Sequence, residues 1–371
     1  MRVGIPTEIK NNEYRVAITP AGVSELVRRG HEVVVQAGAG EGSAIHDDDF
    51  KAAGAQIIEG PDKVWAEADL LLKVKEPIEP EYSRMRKGQT LFTYLHLAAS
   101  RPCTDALLAS GTTSIAYETV QTADGALPLL APMSEVAGRL SAQVGAYHLM
   151  RTQGGRGVLM GGVPGVAPAK VVVIGGGMAG DNAAAVAWGM GAHVTVFDLN
   201  INILRKIDAE YGGAIETRYS SRLDLEDAVK QADLVIGAVL VPGAKAPKLV
   251  TNETVAQMKP GAVLVDIAID QGGCFEDSRP TTHDEPTFKV HDAVFYCVAN
   301  MPGAVPRTST YALTNATMPY VIKLAEKGWQ GACFNDPALA RGLSTHQGQL
   351  LNAEVAHDLD LPYTDPVSLL A

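Results

Sequence analysis

Three glycines with the spacing G-x-G-x-x-G follow a short apolar run, a pattern typical of a loop that holds a dinucleotide. Gly175, Gly177 and Gly180 come directly after residues 171–174. The first glycine permits a tight turn, the second lets the backbone approach a pyrophosphate, and the third allows a helix to pack closely on the strand. The small-residue segment 182–190 is expected to form that helix, whose N-terminal amides would meet the phosphates.

An acidic residue extends this pattern. Asp198 ends a second apolar run and lies eighteen residues after Gly180. A carboxylate at this position bonds the adenosine ribose hydroxyls and repels a 2′-phosphate. A glycine triplet by itself also occurs as a plain turn in doubly wound sheets, but the preceding strand, the following helix and the acid together favour cofactor binding. The sequence therefore predicts NAD as the cofactor rather than NADP.

Polar residues also follow the apolar runs in the first half of the chain. Arg15 follows the first run, Lys75 follows the run at 69–74, and the run at 90–95 passes through Tyr94 into His96. Because parallel strands end at one edge of a sheet, these side chains are expected to share a rim. Two cations and an imidazole suit a substrate with a carboxylate to anchor and a proton to move. Arg15 could bind that carboxylate through two hydrogen bonds, with Lys75 as a point charge.

Each of these residues also has an ordinary structural explanation. Loop arginines and lysines commonly lie in solvent, and a single histidine is commonly structural. Asp270 follows the apolar run that ends at Asp266. It could activate water, or it could be a turn aspartate before Gly272. Residue type and spacing leave both interpretations open.

The segments that must position these residues alternate between strands and helices. Strands are expected at residues 2–6, 32–36, 69–74, 90–95 and 113–117. The segment 20–30 is expected to form a helix with Thr19 as its N-cap, Pro20 at its first position and Gly30 at its end. This alternation predicts a parallel sheet with right-handed crossovers, without a glycine fingerprint of its own.

A second sheet is expected to begin at Lys170 and to be complete by about Asn300. Before it, an amphipathic helix at 132–153, with Ser134 as its capping candidate, leads into a glycine-dense segment at 154–165, the predicted hinge. After it, a helix at 311–327 belongs to a segment that lacks the strands of a third domain. The C-terminal segment is therefore expected to return to the first sheet.

These elements predict an α/β fold class with two doubly wound, Rossmann-like parallel-sheet domains and a catalytic cleft between them. Residues 1–130 plus 307–371 would form a discontinuous substrate domain. Residues 131–306 would form an inserted NAD-binding domain.

Composition excludes several classes of function. The 371 residues include 31 Lys plus Arg against 42 Asp plus Glu, a net charge of -11, and no basic cluster suited to nucleic acid. No signal-peptide run and no window of 18 apolar residues is present, so we expect a cytoplasmic protein without a membrane partner. The four cysteines and nine histidines have no metal-site spacing, so we expect free thiols and no metal.

Several further motifs make the chain resemble the alanine dehydrogenase family over nearly its whole length. They include Gly4-Ile-Pro-Thr-Glu8, Lys73-Val-Lys75-Glu-Pro77, Leu95-His96-Leu97-Ala98, Met133-Ser134-Glu135-Val136-Ala137-Gly138 and Asp266-Ile-Ala-Ile-Asp270-Gln-Gly-Gly273. The resemblance implies an NAD-dependent enzyme, usually a homohexamer, that interconverts L-alanine with pyruvate and ammonium.

The resemblance also implies roles for individual residues. His96 and Asp270 would handle protons and water as the catalytic residues. The substrate would lie against Arg15, Lys75, Tyr94 and Met133. The residues implied as cofactor contacts are Ser134, Gly175, Gly177, Met178, Ala179, Gly180, Asp198, Val239, Leu240, Leu249, Ile267, Asp270, Asn300 and Met301.

Two positions depart from the family pattern. Ile203 stands five residues after Asp198, where relatives often carry Lys or Arg, so a contact to the adenosine half is expected to be missing. Asp181 directly follows Gly180, and its charge is expected to repel a nearby pyrophosphate while gaining from the helix dipole.

Two other functions remain open at the level of sequence. One is a nucleotide-binding subunit of a proton-translocating transhydrogenase, a class whose members resemble this chain around the fingerprint but typically lack the counterparts of Lys75 and His96. The other is an NAD-sensing module without turnover. Substrate-dependent oxidation of NADH would separate the enzyme from both.

Overall fold

A computed structural model describes residues 1–239 and 246–370. The chain forms two compact units, one made of Met1–Met133 and Val305–Ala371 and the other of Ser134–Ala304. In the described ranges, every helix is too short or too polar to cross a membrane.

The N-terminal part of the first unit alternates strands and helices. The elements are β1 Arg2–Ile5, α1 Pro20–Arg28, β2 Glu32–Gln36, α2 Asp47–Ala52, β3 Gln56–Ile58, α3 Pro61–Glu67, β4 Leu70–Leu72, α4 Glu79–Tyr82, β5 Thr90–Thr93, α5 Arg101–Ser110 and β6 Thr113–Ala116. The six strands run parallel in the order β3-β2-β1-β4-β5-β6, so the order reverses between β1 and β4.

Helix α1 has the start and stop residues predicted from the sequence. The Thr19 side chain accepts a hydrogen bond from the Gly22 amide at 3.4 Å, and Pro20 lies in the first turn. The helix ends at Arg28, and Gly30 follows with a φ of 83°, which favours glycine. The predicted cap is confirmed, and the helix ends two residues earlier than expected.

The second unit contains another doubly wound sheet. The elements are α6 Ala131–His148, which begins in the first unit, β7 Lys170–Ile174, α7 Met178–Gly189, β8 His193–Asp198, α8 Ile201–Tyr211, β9 Glu216–Tyr219, α9 Arg222–Gln231, β10 Leu234–Gly237, α10 Asn252–Ala256, β11 Val263–Asp266, β12 Thr287–Val290 and β13 Ala293–Tyr296. The strand order is β12-β13-β11-β10-β7-β8-β9, parallel except for β12, and the order again reverses beside the first strand, β7.

The predicted fold class of two doubly wound α/β sheets is thereby confirmed, because each sheet is covered by the helices of its own crossovers. The central strands of both sheets are buried and apolar, as expected for strands with helices on both faces. In the second unit, Val172, Phe197, Val235, Leu264 and Phe295 from five strands share one apolar cluster.

Two expectations about the region after the first sheet are wrong. Helix α6 begins at Ala131, so Ser134 lies inside the helix and does not cap it. Pro132 is accommodated because a first-turn residue needs no intrahelical N–H bond. The glycine-dense segment 154–165 lies wholly within the second unit. The chain passes between units at Met133 and at Val305 instead, so the predicted hinge is in the wrong place.

The C-terminal segment extends the first sheet. Its strand β14 pairs antiparallel with β6, and β15 pairs with β14. Neither strand was predicted, because Ser344 and Thr345 interrupt any apolar pattern although both are buried. The elements are α11 Pro306–Asn335, bent at Gly328, α12 Pro337–Ala340, β14 Leu343–His346, β15 Gln349–Leu350, α13 Ala353–Leu359 and α14 Val367–Leu370.

The turn between β7 and α7 requires glycine for different reasons at different positions. Gly175 has a φ of 96°. A Cβ at Gly180 would lie 1.7 Å from the Gly175 carbonyl oxygen, whereas a Cβ at Gly177 would meet no described atom within 4 Å. The third glycine therefore permits the close approach of helix and strand, as predicted, and the second leaves open space above the turn.

We expect Gly180→Ala to lower the free energy of unfolding by about 1–3 kcal/mol, because the methyl group forces α7 away from β7. Chemical denaturation measures this loss. Gly177→Ala is the matched control and should change the free energy of unfolding by less than about 0.5 kcal/mol. Equal losses in the two variants would contradict the packing role of Gly180.

Candidate active site

In the first unit, charged residues collect where the strand order reverses. The loop after β1 carries Arg15, the segment after β4 carries Lys75, and the residues after β5 include His96. Since β1, β4 and β5 are neighbours in a parallel sheet, their carboxyl ends lie at one edge. This is the position at which open α/β sheets bind ligands. The structure thus brings these three predicted residues to the same rim.

Arg15 is buried and held in a fixed orientation. Its Nε donates to Glu13 Oε1 at 2.6 Å, and its Nη2 donates to Glu13 Oε2. Nη1 contacts the Met133 sulfur at 3.0 Å, which joins two predicted substrate-binding residues. Burial alone would lower the pKa of Arg15, but the hydrogen bonds and charge of Glu13 outweigh burial and raise it. The guanidinium is therefore a permanent cation.

A second buried cation lies beside the start of the Lys75 segment. Lys73 Nζ donates to Glu8 Oε2 at 3.0 Å and to Glu81 Oε1 at 2.8 Å. Glu8 Oε1 also accepts from the Val74 amide at 2.6 Å. Lys75 itself is half-buried, and its carbonyl oxygen accepts from Thr93 Oγ1 at 3.0 Å. The backbone on both sides of the Lys75 side chain is thus anchored.

His96 has a left-handed backbone, with a φ of 48°. Its amide donates to Glu118 Oε1 at 2.7 Å, and the Leu95 amide donates to the same carboxylate at 3.2 Å. The His96 Nδ1 lies 4.0 Å from Glu118 Oε1. The imidazole stacks on Tyr94, with 5.9 Å between ring centroids, and the Tyr94 hydroxyl donates to the Leu129 carbonyl. Glu118 thus fixes the backbone of His96, and Tyr94 lies against an imidazole that stays accessible to solvent.

Sequence reasoning missed the acidic residues that hold these groups. Glu8 ends the motif Gly4-Ile-Pro-Thr-Glu8 and Glu13 lies two residues before Arg15, but the sequence pattern assigned neither a role. Glu118 follows β6, the next strand of the same sheet. The strand-end rule that selected Lys75 and His96 would have found Glu118 if it had been applied to β6 as well.

In the second unit, the predicted cofactor residues lie mostly at the carboxyl ends of the parallel strands. Gly175, Asp198, Val239 and Ile267 follow or end β7, β8, β10 and β11. Met178 and Ala179 form the first turn of α7, Ser134 is half-buried in α6, and Leu249 packs on the apolar cluster. Asn300 and Met301 come shortly after β13, and Leu240 lies outside the described residues.

The glycine turn can accept a phosphate group. Helix α7 has Gly177 as its N-cap and no side-chain capping hydrogen bond from any described residue, so its first amides can serve a ligand. Asp198 Oδ2 accepts from the Gly176 amide and Oδ1 accepts from the Asn200 amide, both at 2.7 Å. The carboxylate is therefore fixed beside the turn and retains lone pairs for ribose hydroxyls.

Both departures from the family pattern have a structural role. Asp181 pairs with Lys206 Nζ at 3.2 Å and accepts from the Tyr211 hydroxyl at 3.0 Å, which compensates its charge. Burial and this carboxylate raise the pKa of Tyr211. Ile203 packs over the turn, since a Cβ at Gly176 would lie 2.8 Å from its Cγ2. Asp181 thus has a cationic partner beside the start of α7.

The loop after β11 is held by Asp266. This buried carboxylate accepts from the amides of Ala268 at 3.0 Å and Cys274 at 2.9 Å, and from the Ser278 hydroxyl. Burial raises the pKa of Asp266, and these hydrogen bonds, which favour the charged form, offset only part of that increase. Asp270 lies in the anchored loop and is exposed. Asp266 is thus structural, and Asp270 is accessible for chemistry.

Comparisons with known proteins agree along the whole chain. A family model described as "Alanine dehydrogenase/PNT, N-terminal domain" matches residues 4–137, and one described as "Alanine dehydrogenase/PNT, C-terminal domain" matches residues 141–353. The alanine dehydrogenase of Mycolicibacterium smegmatis is 84% identical over 371 residues, which cover 100% of both chains.

Two solved structures match both units. An L-alanine dehydrogenase is 50% identical with a TM-score of 0.95, covering 97% of this chain and 99% of the other. A transhydrogenase from Sinorhizobium meliloti is 26% identical with a TM-score of 0.80, covering 95% of this chain and 99% of the other. The resemblance inferred from the motifs is therefore confirmed, and the chain belongs to the alanine dehydrogenase/PNT family.

Proposed function

We propose that this protein is an NAD-dependent L-alanine dehydrogenase, which interconverts L-alanine with pyruvate and ammonium. The observation that carries the proposal is the rim of the first unit, where Arg15, Lys75 and His96 follow three neighbouring strands. The relatives named alanine dehydrogenase support the same reaction, because one of them matches this chain from end to end at 84% identity.

The features that support NAD lie in the second unit. The open space above Gly177 and the uncapped first turn of α7 suit a pyrophosphate, and the fixed Asp198 carboxylate suits an unphosphorylated ribose. Bound NAD would accept the α-hydrogen of alanine as hydride. The other proposed contacts are those inferred from the sequence, including Val239, Leu249, Asn300 and Met301.

The side chains of the first unit would bind and orient the substrate. Arg15 and Lys75 would hold its carboxylate, with Tyr94 and Met133 beside its carbon atoms. His96, whose backbone is fixed by Glu118, would act as general acid and base. Asp270 would bind the water that attacks the imine carbon, after which C–N cleavage releases ammonium and leaves pyruvate. Oriented side chains lower the entropic part of the barrier.

We also propose that the protein is a cytoplasmic homohexamer, as the family resemblance implies. Several large apolar side chains of the second unit are exposed, including Met150 at 50%, Leu159 at 64% and Val166 at 62%. Met150 and Leu159 line one surface depression together with Met190, and exposed apolar patches of this kind are typical of surfaces that become buried between subunits.

The proposed activity predicts that NADH is oxidised only when pyruvate and ammonium are both present. Absorbance at 340 nm follows the reaction, and assays without either substrate are the controls. A transhydrogenase subunit would instead require a second nucleotide, and an NAD-sensing module would bind NADH without any absorbance change. Either result would refute the proposed activity.

Replacing His96 with alanine should lower kcat by about a hundredfold or more, the usual contribution of a general acid and base. His357→Ala is the matched control, because the His357 side chain is 89% exposed and belongs to α13. Steady-state kinetics on folded variants measures the effect. Near-normal turnover in the His96 variant would remove this residue from the mechanism.

Asp198→Asn should lower the preference for NADH over NADPH by about tenfold or more, because a charge-assisted hydrogen bond to ribose is lost and repulsion of a 2′-phosphate disappears. The ratio of kcat/KM for the two cofactors measures this preference. Asp208→Asn, on the exposed face of α8, is the control. An unchanged ratio in the Asp198 variant would contradict its assignment to the ribose.

A further inference from the structure

Two ion pairs join the loop that carries Arg15 to the segment that carries Lys75. The loop leaves β1 and the segment leaves β4, two strands paired with Val3 opposite Leu70. The inner pair is Glu8 with Lys73, and the outer pair is Lys10 with Glu76. One member of each pair lies close to Lys75 in the chain. Lys73 is two residues before it, and Glu76 is one residue after it.

The rest of the loop is anchored at its far end. The Ser43 hydroxyl donates to the Tyr14 carbonyl at 3.0 Å, and the Val16 amide donates to Thr310 Oγ1 at 3.1 Å. These contacts lie on both sides of Arg15 in the chain. Glu8 anchors the near end, and among the described contacts the side chain of Lys10 ties the exposed stretch 9–11 to the Lys75 segment.

The outer pair joins an accessible cation to a largely buried acid. The Lys10 side chain is 42% exposed, whereas the Glu76 side chain is 11% exposed. Glu76 Oε2 is buried and has no hydrogen-bond partner among the described residues. Burial raises the pKa of Glu76, but the hydrogen bond from Lys10 and the charge of Lys75 outweigh burial and lower it. Glu76 therefore remains a carboxylate whose hydrogen bond comes from Lys10.

We propose that Lys10 and Glu76 are positioning residues for the substrate carboxylate. Their ion pair holds the exposed stretch 9–11 of the loop against the Lys75 segment before substrate binds, so that this stretch need not be ordered when a carboxylate reaches Arg15 and Lys75. This inference rests on the proposed function, because it assumes that Arg15 and Lys75 bind the substrate. It assigns to the pair an effect on substrate affinity rather than on the chemical step.

A different explanation is that each charge acts alone, for example Glu76 by offsetting the charge of Lys75. Reversal of the pair separates the two explanations, because it keeps the bridge and exchanges its ends. Lys10→Glu and Glu76→Lys each place like charges together and break the bridge. The double variant K10E/E76K restores opposite charges.

We expect each single variant to raise the KM for pyruvate roughly tenfold, with kcat and the KM for NADH within about twofold of the unchanged protein. The double variant should return the KM for pyruvate to within about threefold. Steady-state kinetics with saturating ammonium gives all three constants. Thermal unfolding of each variant confirms that the protein is folded.

Lys51→Glu is the control variant, because Lys51 pairs with Asp48 on the surface of α2 and is absent from the rim. Its KM for pyruvate should not change. The proposal is overturned if both single variants keep the original KM, or if the double variant is as impaired as the single variants. Failure of the proposed function has a different signature, since the unchanged protein would then show no pyruvate-dependent oxidation of NADH.

Discussion

The rim of the first unit, formed by the carboxyl ends of β1, β4 and β5, depends on buried cations that are paired with carboxylates. Lys73 lies between Glu8 and Glu81, and Arg15 lies against Glu13. Removing one partner from such a pair typically costs about 3–5 kcal/mol, because the other charge is left buried and unpaired. Loops that contain these residues therefore have few alternative arrangements. Of the cations that would bind substrate, Arg15 is held by such a pair itself, and Lys75 follows the buried Lys73 in the chain.

The two sheets have the same order of parallel strands but use the reversal point differently. In the first unit the reversal is surrounded by charged side chains, which suit a small anion that offers few atoms to contact. In the second unit it is surrounded by glycines and a free helix N-terminus. A pyrophosphate is large and can be bound by backbone amides where glycines leave no side chain between the backbone and the ligand. One topology thus provides two kinds of anion site.

Features that depend on neighbouring residues could be predicted from the sequence. The cap of α1, the glycine turn and the apolar central strands belong to this class, because each follows from spacing along a short segment. Features that depend on distant partners could not. Glu118 holds His96 across twenty-two positions of sequence, and β14 is recognisable only through its pairing with β6. The wrong cap at Ser134 has a local cause, since Pro132 is an equally good helix start.

The backbone of His96 illustrates how the site maintains an unfavourable conformation. A non-glycine residue in the left-handed region costs on the order of 1–3 kcal/mol. Glu118 accepts hydrogen bonds from the amides of both Leu95 and His96, and a hydrogen bond to a charged group contributes about 1.5–3 kcal/mol. Two such bonds are sufficient to offset the strain. The same carboxylate lies 4.0 Å from the imidazole Nδ1, so the group that stabilises the turn also places a negative charge near the proposed acid and base.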